Sequence, residues 1–378
     1  MRAGFMTGTQ TAYTSAILLF ILLSSNIINL FVYEGIQSDF THHIAFITDG
    51  VKLTYPIWHW SLIFIVELFG VALKDAAIFV TTMMCLGTFL VTAFLLRRYT
   101  DILRNRIPWY AFALSILGSV FLPGITAHMY LGVGSPSVWH NPSSYPIEFL
   151  QLVGLVFILR FYEQRTAVPL FLALSVLIIS LWAKPTFVFS VVPAMFLWSL
   201  FFEKEHRWKT LTLPVLCCLC VPIPLWFQIQ NLYGVENSRE AGLAIAPFTI
   251  WAYYTESVVL AILRALLFPI LVMTLLLRTD RTLISRFHGL AWLNLLVGMV
   301  TYIFFVETYD GEIGYDGNFA WGYYLAMTPL FVAAFIDWAN AHQQISRRST
   351  IILGSAFAVH VLFGVLYIAK LFVDRSIL

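Results

Sequence analysis

Long apolar runs recur along the whole of this chain, and they limit the folds that it can adopt. Of its 378 residues, 60% are hydrophobic and only 11% are charged, whereas about 25% of a typical soluble protein is charged. The mean hydropathy is +0.83. Polar side chains are too few to cover a surface exposed to water, so lipid must surround most of the chain. The sequence therefore predicts an all-α polytopic membrane protein.

The charge and the cysteines exclude other classes of protein. The formal net charge is +2, and no block of basic residues is long enough to follow a phosphate backbone, which excludes a nucleic-acid binder. Cys217 and Cys220 have the spacing of a redox pair, but they lie in an apolar run without charges to stabilise a thiolate. We interpret the cysteines as small buried hydrophobic residues and treat residues 1–378 as a single membrane domain.

A helix needs about 20 apolar residues to cross the hydrocarbon core of a bilayer. On this criterion we predict eleven transmembrane spans, at residues 12–32, 77–96, 108–124, 146–162, 167–183, 186–202, 210–228, 258–277, 289–306, 319–336 and 350–370. A further apolar stretch, 56–73, begins with Trp58 and Trp60 close together. We predict that it is a helix lying in the membrane interface, with these rings at the level of the headgroups.

Charge supports the interfacial assignment of 56–73, because counting that stretch as a span inverts every later loop. With the stretch in the interface, alternate loops beyond residue 76 hold 14 of the 19 basic residues. The positive-inside rule assigns those loops to the cytoplasm, which places the N-terminus inside and the C-terminus outside. The outer loops are then about 33–76, 125–145, 229–257 and 307–318. Long loops are usually functional, so we expect the working site to face away from the cytoplasm.

The first outer loop carries an acid and several histidines. Asp39 follows the first span and begins a short helix that bears His42 and His43, and His59 lies at the start of the interfacial helix. A carboxylate at the membrane surface can act as a general base that deprotonates an acceptor hydroxyl. The histidines can orient that carboxylate or bind phosphate when protonated. Alternatively, Asp39 caps its helix, and the histidines make ordinary polar contacts.

This order of elements resembles the first loop of the GT-C superfamily of membrane glycosyltransferases, which includes protein O-mannosyltransferases, oligosaccharyltransferase catalytic subunits and lipid A aminoarabinose transferases. The resemblance covers the layout of the first hundred residues, and the remainder only as a pattern of many spans and outer loops. It implies a cytoplasmic N-terminus, an essential acid early in the first outer loop, a polyprenyl-phosphate-linked sugar as donor, and a place in a bacterial cytoplasmic membrane. Several members carry two neighbouring acids here, where this chain has Ser38 and Asp39.

The second outer loop contains Trp139, His140 and Asn141 between glycines and prolines. A ring, an imidazole and an amide in a fixed turn suit stacking on a sugar and polar contacts with its hydroxyls. The alternative is an interfacial tryptophan followed by an Asn-Pro turn. In the related enzymes an acid in this loop often helps to bind a metal. No acid precedes Glu148 here, so we predict no metal ligands, and a divalent cation (Mg²⁺ or Mn²⁺) stays an open alternative.

Three basic residues on the outer side are candidates for binding a lipid phosphate. Lys184 follows the fifth span and precedes a proline, Arg239 lies in the third long outer loop, and Arg264 is near the start of the eighth span. Each can act on a phosphate as a positive charge. For Lys184, extension of its ammonium group to the headgroups is an equally good interpretation.

The last long outer loop contains Asp316, Asn318 and Trp321 in a stretch rich in carboxylates and aromatic rings. The EF-hand calcium pattern is absent. We predict that these three residues contribute to a sugar-binding rim, and an acidic, solvated turn is the alternative.

The combined pattern predicts a membrane glycosyltransferase that moves a sugar from a polyprenyl-phosphate donor to an acceptor outside the cytoplasm, which is a glycan, a lipid or a protein. Asp39 is the predicted general base, and attack opposite the leaving phosphate inverts the anomeric centre. A secondary transporter or lipid flippase is the first alternative, although such proteins place ionisable residues near the bilayer midplane and often contain paired repeats. A polysaccharide polymerase or ligase is the second.

Overall fold

The structure is a computed structural model that describes residues 8–36, 38–50, 56–122, 133–137, 139–233, 241–255, 257–315 and 317–375. Within these ranges the chain is dominantly helical. The α-helices are α1 (Gly8–Val32), α2 (Asp39–Thr48), α3 (Ile57–Phe69), α4 (Leu73–Tyr99), α5 (Ile107–Ser115), α6 (Ser144–Gln164), α7 (Ala167–Ala183), α8 (Thr186–Phe201), α9 (Arg207–Cys220), α10 (Pro222–Tyr233), α11 (Thr249–Tyr254), α12 (Val258–Ala265), α13 (Leu267–Thr279), α14 (Arg286–Phe304), α15 (Trp321–Ala341) and α16 (Arg347–Val373).

Seven helical segments of the described chain are long and apolar enough to cross a membrane. They contain 19 to 27 residues each, which at 1.5 Å per residue is about 28 to 40 Å and matches a hydrocarbon core of about 30 Å. These segments are α1, α4, α6, α9 with the first part of α10, α14, α15 with the short turn before it, and α16. The predicted helical, polytopic membrane protein is therefore confirmed in its general class.

Other predicted spans differ from simple crossing helices. α12 and α13 are bent by 76° at a short break and form one broken span or a re-entrant loop, while α7 and α8 have only 17 and 16 residues. By length and composition, the described residues thus give seven crossing helices, or eight with the bent pair. The predicted total of eleven is not confirmed by this criterion.

The largest local difference concerns the predicted span at 108–124. Its helix, α5, has only nine residues, and residues 116–122 are not helical. The backbone of this segment bonds to neighbouring elements instead: Gly118 N donates to His360 O at 3.0 Å and Val120 N to Arg264 O at 3.2 Å. Non-helical backbone is tolerated at membrane depth only where protein supplies such partners. Hydropathy alone does not reveal these partners, which explains the incorrect prediction.

The contact between this segment and α16 requires glycine on both sides. A Cβ atom added to Gly364 would lie 1.6 Å from the carbonyl oxygen of Ile116, and one added to Gly118 would lie 2.7 Å from Gly364 N. Any side chain at position 364 would push the segment away from α16. The close approach lets the imidazole of His360 lie 2.7 Å from Gly118 O.

The most buried crossing helix among those described is α15, with 94% of its apolar window inside the protein. It packs against α14, α13, α8 and α6. At the end of the bundle that carries the basic loops, the imidazole of His288 contacts the Asp337 carboxylate on α15 at 2.9 Å and accepts a hydrogen bond from Trp292 at 3.1 Å. Because one ring nitrogen accepts from the indole, His288 is neutral and donates to Asp337 through its other nitrogen.

Three short strands correct the prediction of an all-α protein. β1 (Ala241–Ile245), β2 (Phe305–Tyr309) and β3 (Glu312–Ile313) form an antiparallel sheet in the order β1-β2-β3. Asp310 and Gly311 connect β2 to β3 with positive φ angles of 54° and 83°, as a type I′ hairpin turn requires. The sheet joins two of the predicted outer loops, 229–257 and 307–318.

The predicted orientation can be tested by cysteine labelling in a variant without native cysteines. Ala45→Cys and Gln344→Cys place thiols at exposed positions near opposite ends of the bundle. A membrane-impermeant maleimide added to intact cells is expected to label position 45 only, and position 344 only after permeabilisation. Labelling of both positions from the same side would contradict the topology.

Candidate active site

Asp39 is the first residue of α2, and its side chain does not cap that helix. The N-cap is Ser38, which makes no side-chain capping bond. The half-buried Asp39 carboxylate instead accepts a hydrogen bond from the side-chain amide of Asn141, with 2.5 Å between Nδ2 and Oδ2. The Asp39 backbone N–H donates to His140 O at 3.2 Å. These two bonds fix the start of the first long loop against the second.

Asn141 holds this position because a tight turn before α6 fixes its side chain. Its Oδ1 atom accepts hydrogen bonds from the backbone N–H and the hydroxyl of Ser143, at 3.0 and 2.7 Å. An Asn side chain that bonds two residues ahead mimics a backbone turn and is typical of the residues before a helix. With Oδ1 accepting both bonds, the amide nitrogen is directed at Asp39.

Lys184 reaches the same place from the break between α7 and α8. Its side chain is 5% exposed, and Nζ donates to Ser143 Oγ at 3.3 Å. A hydrogen-bonded path therefore runs from the Lys184 ammonium through Ser143 and Asn141 to the Asp39 carboxylate. Burial lowers the pKa of Lys184 to about 7, against the opposing attraction of Asp39 and Glu307, because an apolar environment disfavours the charged form.

Trp321 at the start of α15 completes this group, which we call the Asp39–Lys184 cluster (Asp39, Asn141, Ser143, Lys184 and Trp321). Lys184 Nζ lies 3.7 Å from the centre of the indole ring, a distance at which the ring face attracts a cation. The ring of His140 is 6.3 Å from the same indole. Burial, with a smaller effect of Lys184, lowers the pKa of His140 to about 4 despite the opposing effect of Asp39, so the imidazole is neutral at pH 7.

The histidines of the first loop form a pair next to this cluster. His43 Nδ1 and His59 Nε2 are 2.9 Å apart, so one ring donates to the other. Burial, with smaller effects of His59 and Lys184, lowers the pKa of His43 to about 3. At neutral pH His43 is therefore uncharged and does not bind phosphate as a cation. His42 is exposed on the other side of α2.

Sequence reasoning assigned no role to Ser143 or to Glu307, and the structure places both near Lys184. Glu307 lies on β2, where its Oε2 accepts hydrogen bonds from Tyr309 at 2.8 Å and Asn318 at 2.7 Å. Two signals were present in the sequence. The Asn-Pro-Ser-Ser run indicates a helix start with side-chain turn bonds, and the Asp-Gly pair after Tyr309 indicates a hairpin.

The structure brings together only some of the predicted site residues. Arg264 is 4% exposed, but its Nε donates to Val120 O at 2.5 Å, and no hydrogen bond or ion pair links it to Asp39 or Lys184 in the described chain. Asn318 is exposed, and its side-chain amide donates a hydrogen bond to Glu307, which lies near Lys184 but is not part of the cluster. Arg239 and Asp316 lie outside the described residues.

Among the described residues, no three His, Cys, Asp or Glu side chains are grouped closely enough to hold a metal ion. No family model matches this chain, and no curated protein matches it either.

The cluster combines three chemical abilities in one place. The Asp39 carboxylate can accept a proton, the buried Lys184 ammonium can bind an oxyanion, and Trp321 supplies an aromatic face. Since the ammonium is shielded from water, its attraction for an anion is stronger than at a surface.

Removing the buried charge is expected to stabilise the protein. The folded pKa of Lys184 is below its unfolded value, so the unfolded chain binds more protons and wild-type stability rises with pH from about pH 7 towards pH 10. Lys184→Met keeps the volume without the charge. We expect its Tm to exceed that of the wild type by a few degrees at pH 6, and the difference to shrink at pH 9, as measured by intrinsic fluorescence in detergent. A lower Tm for Lys184→Met at pH 6 would show that Asp39 and Glu307 outweigh burial.

Proposed function

We propose that this protein is a GT-C-like membrane glycosyltransferase that uses a polyprenyl-phosphate sugar as donor and serves cell-envelope polysaccharide or glycoconjugate synthesis. The observation that carries the proposal is the path of hydrogen bonds from Lys184 through Ser143 and Asn141 to Asp39. It holds a base and a phosphate-binding cation in one hydrogen-bonded cluster at one end of a membrane bundle. The acceptor is a glycan, a lipid or a protein.

In the proposed reaction, the acceptor hydroxyl loses its proton to Asp39 as its oxygen attacks the anomeric carbon of the sugar. A new glycosidic bond forms while the bond from the anomeric carbon to the phosphate oxygen breaks. The polyprenyl phosphate leaves with the electron pair, and Lys184 neutralises its growing charge. Attack opposite the leaving phosphate inverts the anomeric centre. Trp321, together with His140, borders the place of the sugar, whereas Trp139 lines the internal cavity next to α6.

We propose eleven crossings with the cluster on the outer side. Seven long helices and the bent pair α12–α13 account for eight. The short helices α7 and α8 add two, and α5 with the extended residues 116–122 adds one. This count places the start of α2, the start of α6, the end of α7 and the start of α15 at the same membrane face, which agrees with the contacts that join them in the cluster.

Loss of the proposed base is expected to abolish transfer. Asp39→Asn preserves shape but cannot accept the proton, so we expect turnover with a radiolabelled polyprenyl-phosphate sugar to fall by about 10²- to 10⁴-fold. Asp49→Asn, at the exposed end of the same helix, is the matched control and should retain activity. Normal turnover by a well-folded Asp39→Asn variant would contradict the assignment.

Activity is expected to fall as the pH rises through about 7. Lys184 binds the donor phosphate only as the ammonium ion, and its pKa in the free protein is about 7. We therefore expect kcat/KM for the donor to fall about tenfold per pH unit on the alkaline side. Lys184→Arg, whose charge persists at high pH, should keep a flatter profile. The same alkaline decrease in both proteins would show that another group titrates.

One observation favours a transporter or flippase as the second candidate. The bent pair α12–α13 is a discontinuous helix, and Arg264 at its break is buried with both terminal guanidinium nitrogens unpartnered in the described structure. Transporters bind their substrates at such breaks. The two candidates differ in product: a new glycosidic bond supports the transferase, and movement of the lipid without covalent change supports the flippase.

A further inference from the structure

A small cavity with both apolar and polar side chains in its lining lies inside the helical bundle, next to the start of α6. It measures about 20 Å³, which is enough for one water molecule or one dehydrated alkali cation. Residues from α4, α5, α6, α15 and the segment 133–137 line it. Its polar side chains are Thr88, Thr92, Ser115, Ser137, Glu148 and Thr328. The proposed transferase chemistry uses none of them.

Glu148 is the charged residue of this cavity. It lies in α6, one helical turn C-terminal to Ser144, and its carboxyl group faces the cavity. Among the described residues, no ion pair with a basic side chain involves it, and its electrostatic neighbours include Cys85 and Tyr145, which are uncharged. An ionisable side chain inside a membrane bundle is costly unless a partner compensates its charge, and it commonly marks a functional site. A cation from solution can supply this compensation for Glu148.

Of the serine and threonine hydroxyl groups around Glu148, all except that of Thr92 donate their protons to backbone carbonyl oxygens. Ser115 donates to Ala111 O at 2.9 Å and Ser137 to Ser115 O at 3.0 Å. Thr328 likewise donates to Pro136 O at 2.7 Å. A hydroxyl that has donated its proton still has oxygen lone pairs. The cavity thus presents acceptors, and it suits a positive species rather than an anion.

Thr88 on α4 follows the same pattern and donates to Met84 O at 3.3 Å. The backbone adds negative potential as well, because α5 ends at Ser115, beside the cavity. The last carbonyl groups of a helix carry a partial negative charge that favours cations. Broken helices in membrane transporters use such C-terminal ends together with side-chain oxygens to coordinate sodium ions.

We propose that this cavity binds a single monovalent cation, Na⁺, with the Glu148 carboxylate as its charged ligand and the oxygens of Ser137, Thr88 and Thr328 as neutral ligands. The ion neutralises Glu148 inside the bundle and holds α4, α6 and α15 together beneath the Asp39–Lys184 cluster. Na⁺ is smaller than K⁺ and can approach the Glu148 carboxylate more closely, so its attraction to that charge is stronger. The site is independent of whether the protein transfers sugar or moves lipid.

The test is thermal unfolding of the purified full-length protein in detergent, with NaCl replacing choline chloride at constant ionic strength. A ligand that binds only the folded state raises Tm in a saturable way. We expect a rise of several degrees with Na⁺ and a much smaller one with K⁺ at equal concentration. Glu148→Gln is expected to lose the Na⁺ response, and Glu163→Gln, at the exposed far end of the same helix, is expected to retain it.

Thr328→Val covers the case in which Glu148→Gln does not fold. It removes one proposed ligand oxygen and should raise the Na⁺ concentration at half-saturation by about tenfold. A wild-type Tm that does not respond to Na⁺ would overturn the proposal, as would an equal response in the Glu148→Gln or Thr328→Val variant. A Tm that depends on pH through Glu148 but not on Na⁺ would also overturn it, since the partner would then be a proton.

Discussion

The side-chain amide of Asn141 connects the two charged groups of the candidate site and keeps them apart. It donates to Asp39 and accepts from Ser143, which in turn accepts from Lys184. A direct ion pair would neutralise both charges and leave neither available to a ligand. With the amide and hydroxyl between them, the carboxylate keeps an oxygen that can accept a proton, and the ammonium keeps protons that can bind an oxyanion. The turn before α6 therefore determines the chemistry available at this end of the bundle.

The polar groups of this protein occupy separate levels of an otherwise apolar bundle. The Asp39–Lys184 cluster lies where loops meet helix ends, the Glu148 cavity lies below it, and the neutral His288 with Asp337 lies at the opposite end. The non-helical residues 116–122 pass between these levels, with backbone bonds to α12 and α16. His288 and Asp337 are thus paired within the protein, and the Glu148 carboxyl group faces a cavity, which agrees with the cost of burying an unpaired polar group in a low-dielectric environment.

Hydropathy and charge predicted the helical membrane class, and the loops supplied several residues that the structure groups in the candidate site. Asp39, Asn141, Lys184 and Trp321 were each selected from separate loops, and the structure joins all four in one cluster. Glu307 was not selected, because its position depends on the pairing of β1 with β2. The first residues of these strands, Ala241 and Phe305, are 64 positions apart in the sequence. Residues 116–122 are as apolar as a helix, and only their tertiary hydrogen bonds make them extended. Arg264 was predicted at the outer surface, whereas the bend after α12 buries it. Local patterns do not encode such long-range contacts.

The shortness of α7 and α8 has a consequence for the surrounding bilayer. With 17 and 16 residues, these helices are about 25 Å long, several ångströms less than a typical hydrocarbon core. Hydrophobic mismatch of this kind is relieved when the lipid thins locally or when flanking residues reach towards the interface. In the proposed arrangement of eleven crossings, Lys184 lies between these two short spans, and its ammonium group is recessed below the headgroup plane of the unperturbed leaflet. The thickness of the membrane therefore changes the distance between the phosphate of a lipid donor and the Lys184 ammonium group.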